Sequence, residues 1–168
     1  MRLPPGELTD KENDMRDYHR LAQEIRILEQ RFGPEKVFWD RAGRWVMVQD
    51  FPLPRTVNRP ATNVIVVIPE QYGNGAPLRD AFVDPDLEAY NPRTRRFEPI
   101  PHLFARYPYN VGLVLGSTEE WYQKRWQYIC LHLGDGSLLT YLNNLYKYLN
   151  EPFRDWGALF ASYQGEWT

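Results

Sequence analysis

The sequence of 168 residues predicts one α+β domain with an N-terminal helix, an antiparallel β-meander sheet, a long irregular loop that holds the only cysteine, and C-terminal helices. Three observations predict it: helical apolar spacing near the N-terminus, β-branched runs separated by turn residues, and a leucine stripe near the C-terminus. The chain has no internal repeat and no linker, so we assign residues 1–168 to one domain with a core over residues 10–152.

The first helix is predicted from a capping box, Thr9 and Glu12, and from the apolar positions that follow it. Those positions are Met15, Tyr18, Leu21, Ala22, Ile25 and Leu28. Phe32-Gly33-Pro34 should end the helix, because glycine and proline are typical of helix C-termini. The opposite, charged side should face solvent and carries Lys11, Arg16, Arg20, Glu24 and Arg26.

Three strands are predicted next. Residues 37–39 and 44–51 should pair around a turn, and residues 63–68 (NVIVVI) should form a buried strand that ends at Pro69. The region from Pro69 to Pro108 holds seven prolines and is predicted to be a long irregular loop. Residues 111–115 are predicted as a further strand.

The second long helix is predicted to begin after Ser137 as its N-cap. Its apolar stripe consists of Leu138, Leu142, Leu145 and Leu149, at spacings that place them on one face. Asn150-Glu151-Pro152 should end it, and residues 153–163 are predicted as a short final helix.

Composition argues against several classes of function. The net charge is −2, and the only basic cluster (Arg93, Arg95, Arg96) lies beside acidic residues, so a nucleic-acid partner is not expected. No apolar run reaches the roughly 20 residues needed to cross a bilayer, and no signal peptide is recognisable, so we expect no membrane partner and a cytoplasmic location. The spacing of the histidines and the single cysteine does not fit a metal site, so no metal is expected. The sequence has no phosphate-binding loop motif, so no nucleotide cofactor is expected either.

The single cysteine lies in a short apolar segment. If residues 128–133 are extended, Tyr128, Cys130 and His132 face one side, opposite the apolar Ile129, Leu131 and Leu133. Cys130 is therefore predicted to leave the core as a reactive thiol; the alternative is a small buried apolar residue. His132 is a candidate to stabilise an oxyanion, lower the pKa of the thiol or orient an amine, or it caps a nearby group.

Four patterns occur in an order that resembles a known family. Residues 51–54 (FPLP) follow the second strand, 68–73 (IPEQYG) follow the third, 129–131 (ICL) hold the cysteine, and 139–152 (LTYLNNLYKYLNEP) form the next helix. Together they resemble the ubiquitin-conjugating enzyme (UBC-like) fold. The resemblance is closest to bacterial relatives found beside ubiquitin-like modifiers, activating enzymes and JAB-type peptidases, in which a segment like Trp126-Gln127 leads to a histidine, here His132.

This resemblance implies that Cys130 receives a ubiquitin-like modifier as a thioester from an activating enzyme and passes it to an amine on a target protein. His132 would assist, with His102, Tyr128 and Trp126 as candidate supporting residues. No cofactor would be needed on this chain, because the activating enzyme uses the ATP, and the bacterial relatives imply a role in antiviral conjugation. The activating enzyme would dock on the first helix at Arg16 and Arg20, unless that face is simply solvated.

The chain also departs from the family pattern. Gly73 replaces an expected proline, and Pro101-His102-Leu103 is the nearest segment to the family's His-Pro-Asn. A tryptophan normally follows the cysteine, whereas Trp121 and Trp126 precede it here. A non-catalytic UBC-like module that binds a modifier or its partner is therefore a second interpretation, and an unrelated α+β interaction domain with a structural cysteine is a third.

Overall fold

A computed structural model of the chain describes Leu8 and residues 15–105, 125–132 and 136–157. It has an N-terminal helix, an antiparallel sheet and a C-terminal helix, so the predicted α+β class is confirmed in these general terms. The elements are α1 (Tyr18–Phe32), β1 (Val37–Trp39), β2 (Trp45–Pro52), β3 (Ala61–Val67), β4 (Asp80–Val83), β5 (Glu88–Asn91), β6 (Arg96–Pro99), β7 (Gln127–Cys130) and α2 (Leu138–Asn150). A single 3₁₀ turn at Pro34–Lys36 joins α1 to the sheet.

The main sheet has five antiparallel strands in the order β1-β2-β3-β4-β7, and β5 and β6 form a separate hairpin. The region predicted as one irregular loop therefore contains β4 and the hairpin. Cys130 is the last residue of β7, where Ala81 of β4 pairs with Ile129, so placing the cysteine segment in a loop was wrong. Strands of four residues whose partners lie far apart in sequence leave little local pattern.

The first helix begins later than predicted. Asp17 is its N-cap, and a side-chain oxygen of Asp17 accepts a hydrogen bond from the backbone N–H of Arg20 at 3.0 Å. Met15 therefore precedes the helix and is exposed, whereas Leu21 and Leu28 are fully buried as expected. The helix ends at Phe32 as predicted, followed by Gly33. The proposed capping box at residues 9 and 12 lies outside the described residues.

The second helix agrees closely with the prediction. Ser137 Oγ accepts a hydrogen bond from the N–H of Thr140 at 3.2 Å, and all four leucines of the predicted stripe are fully buried. The helix ends at Asn150. Phe153 to Trp156 are not helical, and most of the predicted final helix, like the predicted strand at residues 111–115, lies outside the described residues.

Both faces of the main sheet bury apolar side chains. The larger cluster joins the sheet to both helices; its members include Leu21, Ile25, Val46, Val48, Val64, Val66, Ala81, Ile129, Leu131, Leu142 and Leu145. The second cluster occupies the opposite face and consists of Phe38, Trp45, Met47, Ile65, Phe82, Trp126 and Tyr128. Successive side chains along each strand therefore point alternately to two buried faces of the sheet, and neither face is simply the solvent side.

Strand β2 contains a β-bulge. Val48 pairs with Val64 and Phe51 with Thr62, so β2 uses one residue more than β3 over the same length. Asp50 adopts a positive φ of 53° within the bulge. The extra residue turns Phe51 towards the helices, where its ring lies 5.6 Å from that of Phe32.

Candidate functional site

Cys130 lies at the end of β7, directly opposite Asp80, the first residue of β4. The predicted alternation is confirmed: Ile129 and Leu131 belong to the larger cluster, whereas Tyr128 lies in the second cluster and Cys130 packs against it. Sheet pairing between β4 and β7 thus brings a thiol, a carboxylate and a phenol to one end of the sheet.

Solvent exposure at this site differs from the prediction. Because the second face is itself buried, Cys130 is half-buried, and His132 is only 7% exposed. The expectation that the two side chains share an open surface is therefore wrong for His132. The thiol lies at the margin of an apolar cluster, which is a drier environment than the alternation alone indicated.

The thiol and the imidazole are in direct contact. Cys130 Sγ lies 3.1 Å from His132 Nε2, which is hydrogen-bonding distance for sulfur. The two residues are separated by one residue in an extended segment, so their side chains point the same way. Nε2 is therefore placed to exchange a proton with the thiol, as a general base or acid does.

A second polar pair borders the thiol. The Tyr128 hydroxyl donates to Asp80 Oδ1 at 2.5 Å, and burial together with this carboxylate raises the pKa of Tyr128. Asp80 was not predicted as a site residue, because the sequence indicated an irregular loop in this region. The local signal was a polar residue immediately before the apolar run Ala81-Phe82-Val83.

The electrostatic surroundings keep the thiol protonated. Burial raises the pKa of Cys130 to about 11, and the negative charge of Asp80 adds to the effect. The hydrogen bond of Tyr128 and the positive charge of Arg79 act in the opposite direction but do not outweigh burial. A thiol with this pKa is largely un-ionised near neutral pH, and a role of His132 in lowering the pKa of the thiol stays a prediction.

A cleft of about 290 Å³ opens beside Asp80, between the end of β3 and the start of β4. Its lining consists of Val67, Pro69, Ala76, Pro77, Arg79 and Asp80. Two prolines, a valine and an alanine make the walls largely apolar, while Arg79 and Asp80 supply charge.

The other candidate supporting residues lie in different surroundings. Trp126 is 3% exposed and is a packing residue of the second cluster. His102 has a positive φ of 64°, and its ring packs edge-on against Phe104 and Tyr148, whose ring centroids are each 6.3 Å away. Burial lowers the pKa of His102. These contacts associate His102 with the end of α2, and its assistance to Cys130 stays a prediction.

The predicted docking arginines are engaged within the chain. Arg16 precedes α1, and its Nε and Nη2 donate to the carbonyl of Ile68 at 3.2 and 2.9 Å. Arg20 Nε pairs with Glu24 Oε2 at 2.7 Å, and its guanidinium lies 4.9 Å from the centre of the Tyr72 ring. Placing Arg16 on the exposed helix side was wrong, and a docking role for either arginine stays a prediction.

Glu24 was predicted to face solvent but is only 6% exposed. Its Oε1 accepts hydrogen bonds from the Tyr72 hydroxyl at 2.5 Å and from the backbone N–H of Leu138 at 2.8 Å. The carboxylate thereby satisfies an N–H at the positive end of α2, where a negative charge is favourable. A buried anion thus joins α1, the β3–β4 connection and α2.

The backbone explains why residue 73 is a glycine. Gly73 has a φ of 87°, whereas proline is restricted to about −65°. A Cβ at this position would lie 2.5 Å from Asp17 Cβ, beside the residue that caps α1. The turn that positions Tyr72 therefore requires glycine here.

No family model, no curated protein and no solved structure matches this chain. In the part of the chain that the structure describes, three or more His, Cys, Asp or Glu side chains never come together as a metal-binding group. Within the same residues, neither helix has the length and apolar character of a membrane span.

Proposed function

We propose that this chain is a ubiquitin-conjugating-enzyme-like protein that accepts the C-terminus of a ubiquitin-like modifier as a thioester on Cys130 and passes it to an amine on a target. The observation that carries this proposal is the 3.1 Å contact between Cys130 Sγ and His132 Nε2. The order of the elements also supports the proposal. Helix, meander, cysteine segment and helix follow one another as they do in the family that the sequence resembles.

The first chemical step is an exchange between two thioesters. As Cys130 Sγ attacks the carbonyl carbon of the modifier thioester, its proton passes to His132 Nε2 and a tetrahedral oxyanion forms. The carbon–sulfur bond to the activating enzyme then breaks, and the departing thiolate takes up a proton. Because the pKa of Cys130 is raised to about 11, the thiol is un-ionised beforehand, and this transfer to His132 makes the nucleophile.

The second step moves the acyl group to an amine. Once Cys130 is acylated it carries no proton and no charge, so the carboxylate of Asp80 across the strand pair no longer opposes a thiolate. A lysine ammonium approaching the thioester would be attracted by Asp80. The ammonium first gives one proton to solvent, and the neutral amine attacks the thioester carbonyl and passes a second proton to His132 Nε2. The carbon–sulfur bond then breaks, and the departing Cys130 thiolate takes up a proton.

One observation favours the second candidate, a non-catalytic UBC-like binding module. The thiol is half-buried and its pKa is raised, which is typical of a cysteine that packs as a small apolar residue. Such a module would hold a modifier or an activating enzyme without forming a covalent bond, and acyl transfer to the thiol distinguishes the two candidates.

The decisive experiment uses a soluble peptide thioester that ends in Gly-Gly, because it mimics an activated modifier C-terminus without requiring the natural partners. Intact-mass spectrometry should show one acyl group on the wild-type protein, removable by a thiol reductant. Cys130→Ala should give no adduct. Cys130→Ser should give a slower adduct that resists the reductant and is cleaved by hydroxide, since an oxygen ester is less activated than a thioester.

His132→Gln tests the base separately. The rate of acylation should fall by about 10²- to 10⁴-fold, the range for a positioned base, while the melting temperature reports any loss of folding. With a modifier, its activating enzyme and ATP, a non-reducing gel should show the same dependence. An adduct on Cys130→Ala, or no acylation of the wild type in either system, would leave the binding module as the better explanation.

A further inference from the structure

The hairpin formed by β5 and β6 presents two aromatic rings to solvent. Tyr90 and Phe97 are directly opposite each other in the strand register and are 40% and 47% exposed. Their ring centroids are 5.8 Å apart in an edge-to-face arrangement. Large aromatic side chains exposed together are unusual on a free surface and are enriched where proteins bind partners.

The tip of this hairpin is held in one conformation. Asn91 is buried; its Oδ1 accepts from the N–H of Arg93 at 3.0 Å, and its carbonyl accepts from the N–H of Arg95 at 2.7 Å. Pro92 restricts the backbone further. The loop that carries the arginines is therefore preorganised, which lowers the entropy lost when a partner binds.

Arg95 adopts a backbone conformation that arginine disfavours. Its φ is 58°, in the left-handed region where glycine or asparagine is usual. Nothing in the fold of the tip requires an arginine side chain, since Arg95 is exposed. Local strain of this kind is characteristic of functional positions, so the arginine at this position points to a use outside the chain's own stability.

Positive charge is concentrated on the same hairpin. Arg93, Arg95 and Arg96 are all exposed within four residues of sequence. Glu98, on the same hairpin, lies 3.8 Å from Arg96 Nε and also accepts from the hydroxyl of Thr94. Three exposed guanidinium groups within four residues give the tip a local positive charge, although the whole chain has a net charge of −2.

A pocket of about 510 Å³ lies between this hairpin and the end of α2. Its walls include Thr56, Tyr90, Pro92, Arg93, Phe153 and Arg154. Tyr90, Pro92 and Phe153 provide apolar surface, and the two arginines are on its rim. The exposed aromatic pair, the cationic tip and the pocket are continuous, because Tyr90 and Arg93 belong to both the hairpin and the pocket wall.

We propose that this hairpin surface docks an acidic segment of a partner protein that carries one large apolar side chain. The apolar side chain would enter the pocket against Tyr90 and Phe153, and neighbouring carboxylates would pair with Arg93 and Arg95. A protein segment fits better than a nucleic acid, because three clustered arginines on a chain with a net charge of −2 do not form the extended basic face that a phosphate backbone requires. This inference is independent of the thiol chemistry proposed above.

The test uses a fluorescein-labelled peptide in which one phenylalanine is flanked on both sides by aspartates and glutamates, titrated with the full chain by fluorescence anisotropy. Two comparison peptides replace the phenylalanine with serine or all acidic residues with lysine. The acidic phenylalanine peptide should bind best, and raising the salt from about 50 to about 300 mM should weaken binding, because exposed charges are screened. Cys130→Ala should bind as tightly as the wild type.

Variants then locate the surface. Arg93→Glu should weaken binding by roughly threefold to tenfold, and the pair Tyr90→Ser with Phe97→Ser by at least as much. Arg95→Gly should weaken binding while leaving the melting temperature equal or higher, because glycine is unstrained at this φ. Arg26→Glu on the exposed side of α1 is the matched charge control and should have no effect.

Four results would overturn the inference. The first is equal weakening by Arg26→Glu and Arg93→Glu, which would mean non-specific attraction. The second is equal affinity for the peptide without phenylalanine, which would show that the pocket takes no part in binding. The third is tighter binding of a single-stranded oligonucleotide of the same length, which would make the surface a nucleic-acid site. The fourth is no binding of the acidic phenylalanine peptide by a folded wild-type chain.

Discussion

Replacing Glu24 should reveal how strongly a buried carboxylate joins the two helices. Its Oε1 accepts from the Tyr72 hydroxyl and the Leu138 N–H, and its Oε2 accepts from Arg20. In Glu24→Ala the buried N–H of Leu138 loses its acceptor, while the Tyr72 hydroxyl retains the Gly136 carbonyl at 3.3 Å. The Arg20 side chain is 41% exposed, so water can replace part of its lost contact.

These contacts determine how much free energy of unfolding each substitution should cost. A hydrogen bond to a charged group contributes about 1.5–3 kcal/mol, and breaking a buried pair by removing one partner costs about 3–5 kcal/mol. We therefore expect Glu24→Ala to lower the free energy of unfolding by about 3–5 kcal/mol. Glu24→Gln should cost only about 1 kcal/mol, because the amide oxygen can still accept both bonds of Oε1 while its NH₂ group faces Arg20.

Urea denaturation followed by tryptophan fluorescence measures both variants, and the six tryptophans provide the signal. The difference between the variants corresponds to melting temperatures separated by about 2–4 °C for each kcal/mol in a domain of this size. Leu142→Ala is a positive control for a fully buried site. Equal stability of the Ala and Gln variants, or a loss below about 1 kcal/mol for Ala, would show that the network contributes little.

Four further predictions concern the thiol and the core. Because the pKa of Cys130 is raised to about 11, its alkylation rate by iodoacetamide should rise about tenfold per pH unit up to about pH 10, whereas an ordinary thiol levels off near pH 9; an early plateau would contradict the raised pKa. A native pKa above the unfolded one also means that this group's contribution to stability is intact below about pH 8.5 and is lost as the pH rises through 11, a loss that Cys130→Ala should abolish in urea titrations. Asp80→Asn keeps an acceptor for Tyr128 but removes the charge that opposes the thiolate, so alkylation at about pH 8 should become faster by a factor on the order of 10 for each unit by which the pKa falls; an unchanged rate would exclude Asp80 as a cause. Leu142→Ala and Leu145→Ala should each lower the free energy of unfolding by about 2–5 kcal/mol, and no resolvable change in melting temperature for both would show that this face is not core.

Elements with strong local signals were predictable from the sequence. The leucine stripe of α2 repeats at helical spacing after a serine cap, and each of those features is visible within one segment. The alternation from Tyr128 to Leu131 likewise assigned the correct face to each side chain. What that alternation could not show was that a second apolar cluster buries the face that carries Cys130.

Features that depend on distant segments were missed. β4 has four residues and begins with a charged side chain, so its strand character depends on pairing with β3 and β7. Glu24 was treated as a surface residue because it is charged. Its spacing, three residues after Leu21 and four before Leu28, places it in the apolar stripe, and that position was the available signal. Its burial depends on Tyr72 and α2, which only the tertiary fold brings to it.

The bulge in β2 makes tolerance of insertions and deletions unequal along the chain. Losing one residue at Gln49-Asp50 would leave Phe51 two residues after Val48 and still facing Phe32 and Tyr146. Losing one residue between Trp45 and Val48 would instead turn the residues before the loss to the opposite buried face. At the hairpin tip, by contrast, residues 92–95 are exposed, and a change in length there alters a loop without reversing any buried face. Related chains should therefore vary in length at the hairpin and, within β2, only by the extra residue of the bulge.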